Sequence, residues 1–152
     1  MKDGEGWLTK QGGLVKNWKR RYFVVRDGKF MYYTTEEEAR EDKNRKGSIP
    51  LKDANMTVFD PSTFERNWCF GVTPAKSNRT YVMECADSEE RLDWIRHLRQ
   101  FGAQIKASVV STLMMNAKRE EQKVASLNEK KAHSQSVANM AEAKLHHPSI
   151  SS

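Results

Sequence analysis

Between Lys10 and Arg21 the chain carries Lys10, Lys16, Lys19, Arg20 and Arg21 with no acidic residue among them. So dense a run of ammonium and guanidinium groups raises a local positive potential, and the chemistry it offers is the capture of an anion. Elsewhere the residues do not assemble a reaction centre. There is no Gly-rich nucleotide loop, no metal-ligand cluster and no set of nucleophile, base and orienter, so neither an enzyme nor a cofactor or metal is expected. The acidic run from Glu36 to Asp42 reads as solvated surface, and His97 falls on the polar side of a helical pattern. The two cysteines, Cys69 and Cys85, lack close metal-ligand spacing and lie far from the four histidines. A disulfide is open on paper, but reduced, partly buried thiols in a cytosolic protein are expected.

The basic run needs a support that aims it. Residues 5 to 11 and 18 to 26 alternate as two strands of a hairpin, and strand side chains repeat every second residue. Leu8 then shares a face with Lys10, and Arg21 shares one with Phe23 and Val25. Cations on a face that also carries core residues are tolerated only where that face reaches water. Lys10, Lys19 and Arg21 should therefore sit at the open mouth of a barrel or sandwich. Gly12 and Gly13 make the intervening turn permissive and let backbone amides approach a ligand.

Around this hairpin the 152 residues, with a net charge of +6, 30% charged and 38% apolar, suit one compact domain plus an appendage. Asp27-Gly28 is a strong hairpin turn into a strand over 29 to 35. Residues 36 to 46 read as a charged loop, and 47 to 51, 56 to 60, 67 to 73 and 79 to 86 as further short strands. Seven antiparallel strands in so short a stretch imply a sandwich or a partly closed barrel. Asp87 or Ser88 caps a helix whose apolar stripe is Trp94, Leu98, Phe101 and Ile105. Helix formers continue to about Lys131, and the helix is expected to continue into an extension over 103 to 131, with Gly102 weakening the joint. Val110, Leu113, Ala117, Val124 and Leu127 nearly follow a heptad, broken by Glu120, so a single solvated helix is favoured over a dimeric coiled coil or a partner-binding helix. Residues 132 to 152 are expected to be disordered. No charged start leads into an apolar run, and Val109 to Met115 is too short to span a bilayer, so a soluble protein is expected.

The set Gly6, Trp7, Leu8, Lys10, the glycine pair, Trp18, Lys19, Arg21 and Phe23 closely resembles the first hairpin of pleckstrin homology (PH) domains. It is most similar to the 3-phosphoinositide-binding type found in protein kinase B, the cytohesins and the tandem PH adaptors. The resemblance covers about residues 5 to 102 and implies a seven-stranded antiparallel β fold capped by a C-terminal α-helix, with Trp94 at the place of the family's helix tryptophan. It also implies site residues. Lys10, Lys19 and Arg21 fill the places of the headgroup-binding cations, Tyr33 that of a phosphate-bonding tyrosine, and Lys46 and Arg79 those of further basic contacts, with Lys16 on the rim. Gly13 resembles the small residue that leaves room for a 5-phosphate.

An inositol headgroup carries several phosphates around one ring, so it needs cations from more than one strand converging on one volume, arginine as a bidentate donor and lysine as a point charge. The reading therefore requires Lys10, Arg21 and Tyr33 to meet in one hollow. Leu14 and Val15, at the loop tip, are placed to enter the acyl region of a membrane. The expected function is membrane recruitment from the cytoplasm to the plasma membrane through phosphatidylinositol 3,4,5-trisphosphate or 3,4-bisphosphate. The rival is a protein-interaction adaptor with nonspecific affinity for anionic membrane, gripping a partner or itself through residues 103 to 131. Nucleic acid is disfavoured, because aromatic residues are not interleaved with the cations on an exposed sheet face.

Overall fold

The computed structural model describes residue 1 and residues 3–145, with side chains described as far as residue 140. Its strands are β1 (Glu5–Gln11), β2 (Trp18–Arg26), β3 (Lys29–Tyr33), β4 (Gly47–Pro50), β5 (Asn55–Val58), β6 (Cys69–Thr73) and β7 (Tyr81–Glu84). All seven pair antiparallel in one sheet of order β4-β3-β2-β1-β7-β6-β5. The helices are α1 (Glu36–Glu41), α2 (Pro61–Phe64), α3 (Ser88–Arg99) and α4 (Ala107–Leu145). Residue contacts divide the chain into a first unit, Met1–Met115, and a second that begins at Asn116.

Alternation along the strands builds two apolar layers. On the inner face Leu8, Phe23, Phe30, Ile49, Phe70, Val72 and Met83 are buried and meet Trp94, Ile95 and Leu98 of α3. Phe30 lies 5.3 Å from the Trp94 ring, which ties the hairpins to the helix. The N-terminus of α3 is fixed by Asp87, whose carboxylate accepts from the Glu90 amide at 2.8 Å, while Glu90 accepts in return from the Ala86 amide at 3.0 Å. On the outer face Tyr22, Val24, Met31 and Tyr33 form a second cluster with Ala39 of α1, and Trp7 packs against it.

Three expectations change. Residues 36 to 46 are not wholly loop: Thr35 caps α1 by accepting from the Glu38 amide, and burial of Ala39 holds the helix on the outer face. The helix after Asp87 does not run on through Gly102. It ends at Arg99, and Gly102 takes a φ of +100°, a left-handed turn that sends the chain to pair with the β5 edge through Asn55 and Gln104. Phe101 is consequently exposed and Ile105 only half-buried, so neither continues the stripe of Trp94 and Leu98. Finally, α4 extends to Leu145, so helix occupies most of the segment expected to be disordered; residues 146–152 lie outside the described residues. Cys69 and Cys85 are buried free thiols, and burial raises the Cys69 pKa to about 11 and that of Cys85 well above the usual thiol range. No helix among the described residues is long and apolar enough to cross a membrane.

Candidate functional site

The β1–β2 register decides which cations meet. Leu8 pairs with Arg21 and Lys10 with Lys19, so these four side chains rise from the inner face toward the open end of the sheet. Deeper along β2, Phe23 shares that face and pairs with Tyr32 of β3. Core and cationic rim are thus successive levels of one surface. The rim encloses a hollow of about 310 Å³ lined by Lys10, Lys19, Arg21 and Lys46, with Tyr32, Asn17, Val15 and the Gly12-Gly13 turn. Lys46 arrives from outside the hairpin because its amide donates to the Tyr32 carbonyl at 2.9 Å. Tyr32 can lie across the β4 edge only because Gly47 has no side chain: a Cβ there would fall 2.1 Å from the phenol oxygen.

Lys10 is the most enclosed of these cations, with 8% of its surface exposed. Its Nζ donates to the Gln11 carbonyl at 3.1 Å and stands 4.9 Å from the Tyr32 ring centroid and 5.5 Å from that of Tyr81. Burial first, then the charges of Arg79, Arg21 and Lys16, lower its pKa from 10.5 to about 8. Burial likewise raises the Tyr32 phenol, with a further contribution from Tyr81. Crowded by Lys19, Arg21 and Lys46 in the same hollow, the Lys10 ammonium would be relieved by any negative charge that entered it.

Tyr33, by contrast, does not reach the hollow. It pairs with Tyr22 on the outer face, where it is fully buried and its hydroxyl donates to Asp42 at 2.5 Å. Arg26 completes that arrangement, donating to the Tyr33 hydroxyl at 3.2 Å and to the Ala39 carbonyl at 2.9 Å. The tyrosine on the pocket face is Tyr32, which the resemblance passed over. The signal was in the sequence: a two-residue Asp27-Gly28 turn pairs Arg26 with Lys29, so Phe23 must face residue 32.

Lys16 and Arg79 lie on the far side of the β1–β2 turn. They line a second, larger hollow of about 610 Å³ with Leu14, Phe59, Phe64 and Tyr81. The Arg79 guanidinium stacks 4.1 Å from the Tyr81 centroid, and a Cβ on Gly13 would come 2.8 Å from its Nη2. The room that Gly13 leaves is therefore taken by Arg79. The smaller hollow is the stronger candidate, since four cations converge in it and only Lys16 and Arg79 line the larger one. Arg20 points to the opposite face, 4.8 Å over the Trp7 ring.

The hairpin that carries the site is braced from beneath. Trp18, at the start of β2, makes an edge contact with Phe64 at 5.9 Å and lies under the Arg66 guanidinium at 4.3 Å. Arg66 is itself held by Glu84 at 2.8 Å. At the tip, Leu14 is fully exposed and Val15 70% exposed, so nothing in the fold shields them from a surface they meet.

The PH domain family model matches residues 3–103. Mouse cytohesin-4 is 31% identical over 118 residues, an alignment covering 64% of this chain and 28% of that protein. Mouse Rho GTPase-activating protein 25 is 32% identical over 102 residues, covering 62% of this chain and 15% of that protein. The chain thus spans less than a third of the length of these curated relatives. Among solved structures, the C-terminal PH domain of pleckstrin in complex with D-myo-Ins(1,2,3,4,5)P5 aligns with a TM-score of 0.52 and 27% identity, over 64% of this chain and 95% of that one.

Proposed function

Because the chain belongs to the PH domain family, we propose that its basic hollow holds the phosphorylated headgroup of an inositol lipid and so recruits the protein to a membrane. The observation that carries this reading is the convergence of Lys10, Lys19, Arg21 and Lys46, with no carboxylate in the lining. The pleckstrin domain similar in fold is complexed with an inositol pentakisphosphate, which is the same class of ligand. Arg21 offers the planar donor set for a bidentate phosphate contact, and Lys10 and Lys19 offer point charges from either side. Leu14 and Val15 enter the interface beside the headgroup. The preferred lipid is 3-phosphorylated, phosphatidylinositol 3,4,5-trisphosphate or 3,4-bisphosphate, on the match of Lys10, Lys19 and Arg21 to that subtype. The site of action on this reading is the plasma membrane, reached from the cytoplasm.

Vesicle flotation tests it, with each phosphoinositide set against phosphatidylserine vesicles of equal charge. Arg21→Ala should weaken binding to the 3-phosphorylated lipids by about tenfold or more, since a hydrogen bond to a charged group contributes about 1.5–3 kcal/mol. Equal loss on every anionic vesicle would leave only general charge attraction. A second reading rests on α4, where Val124, Leu127, Val137 and Met140 are each more than half exposed. On that reading the fold is an adaptor scaffold, and the helix takes a protein partner or a second copy of itself.

A further inference from the structure

Lys10 combines three conditions that rarely meet in one amine. It is nearly enclosed, it lines a solvent-reached hollow, and among the described residues the charged groups that bear on it are cations: Lys19 and Arg21 from β2 and Lys46 from the β3–β4 connection line the hollow with it, while Lys16 and Arg79, across the β1–β2 turn, add their charge through space. The other titratable neighbours are the phenols Tyr32 and Tyr81, whose ring faces it approaches. A lysine in that setting gives up its proton early, and a neutral amine is a nucleophile. The surrounding cations meanwhile concentrate phosphate within reach of it.

We propose that Lys10 is a covalent modification site, at which a small aldehyde bearing a phosphate is captured as an imine. This deepens the headgroup reading, on which the phosphate's place beside Lys19, Arg21 and Lys46 rests. The lone pair of the neutral Nζ attacks the carbonyl carbon, and the carbonyl π pair takes up a proton from the nitrogen to give a carbinolamine. Loss of the hydroxyl as water, with the second amine proton, leaves a C=N bond. One water is released for each imine formed, and no oxidant or reductant takes part. Holding the phosphate fixes the aldehyde near the amine and turns an encounter into an intramolecular step. Occupation by such a group removes the Lys10 charge and fills the hollow, so it competes with an inositol headgroup.

The test treats the full chain with pyridoxal 5′-phosphate near neutral pH, traps imines with borohydride and maps the labelled lysines by peptide mass spectrometry. Lys10 should label about tenfold faster than the exposed Lys52 and Lys76, because the phosphate held by Lys19, Arg21 and Lys46 keeps the aldehyde beside its amine. Pyridoxal without the phosphate should lose that advantage, inositol 1,3,4,5-tetrakisphosphate should protect Lys10, and Lys10→Arg should lose the label. The Lys10 labelling rate should rise with an inflection near pH 8. Even labelling of surface lysines, or equal rates with pyridoxal, would overturn the proposal, and both are read on the unmutated protein. Calorimetry with the inositol phosphate separates the two readings: rapid Lys10 labelling without inositol phosphate binding sinks the headgroup function alone, and binding without preferential labelling sinks this inference alone.

Discussion

At the scale of single residues, Lys10 is where charge and burial work against each other, and the conflict has two opposite pH signatures. Its folded pKa of about 8 lies below the 10.5 of a free side chain. The unfolded chain therefore binds more protons between those values, and the ligand-free domain should gain stability as pH rises through that window. Anion binding needs the protonated amine, so affinity should fall about tenfold between pH 7.5 and 9, where phosphate groups are already ionised. Calorimetric titration with an inositol phosphate across this range checks it, and Lys10→Arg should flatten the profile. The adjacent tyrosines separate just as cleanly. Tyr32→Leu removes the ring beneath Lys10 and should weaken headgroup binding severalfold, on the order of 1 kcal/mol. Tyr33→Phe removes the hydroxyl bonded to Asp42 and Arg26 and should lower the melting temperature while leaving vesicle binding intact. Assigning the wrong member of the pair is an error of one residue, and one residue in a strand is the whole difference between faces. Resemblance to a family supplied a tyrosine in β3; only the pairing across Asp27-Gly28 says which one looks inward.

On the proposed reading, the β1–β2 hairpin is the element on which recognition and membrane contact are joined. Its strands aim the cations, its turn exposes Leu14 and Val15, and Trp18, in the rung next to the turn, braces that end against Phe64 and Arg66. Replacing both tip residues, Leu14→Ser with Val15→Ser, should weaken vesicle binding by tenfold or more, given about 1.5–3 kcal/mol for each buried aliphatic side chain. Affinity for the soluble inositol phosphate should not change, and calorimetry beside flotation distinguishes the two. The strands of this hairpin were legible because alternation, a glycine turn and an Asp-Gly turn each constrain the chain locally. The small helix α1 was less so. Its charged text, EEEARE, looks like solvent-exposed loop, and it is Thr35 as cap and a single buried Ala39 that make it a helix on the sheet. The family resemblance placed Arg79 with the other cations and the first loop placed Lys16 at their rim, but both line the larger hollow on the other side of the turn.

For the molecule as a whole, a net charge of +6 on 152 residues favours anionic surfaces in general, and on the proposed reading the pocket refines that attraction. Binding to phosphatidylserine vesicles should therefore collapse as salt rises, while binding to the preferred phosphoinositide persists further, a comparison that flotation at graded ionic strength makes directly. Along α4 the exposed Val124 and Leu127 keep the near-heptad reading in play as a proposal of self-association. Light scattering of the full chain at increasing concentration should show a dimer on that reading; a constant monomer mass would remove it. What the amino acids settled unaided was the antiparallel sheet, its capping helix and the cationic character of its first hairpin, because period, turn chemistry and charge are properties of neighbours along the chain. The depth at which Lys10 sits, the substitution of Tyr32 for Tyr33, the room Gly13 yields to Arg79 and the end of α3 at Arg99 were decided by tertiary structure. Each of these depends on which strands lie side by side and how closely distant side chains approach, and such distances are fixed only when the sheet folds around its core.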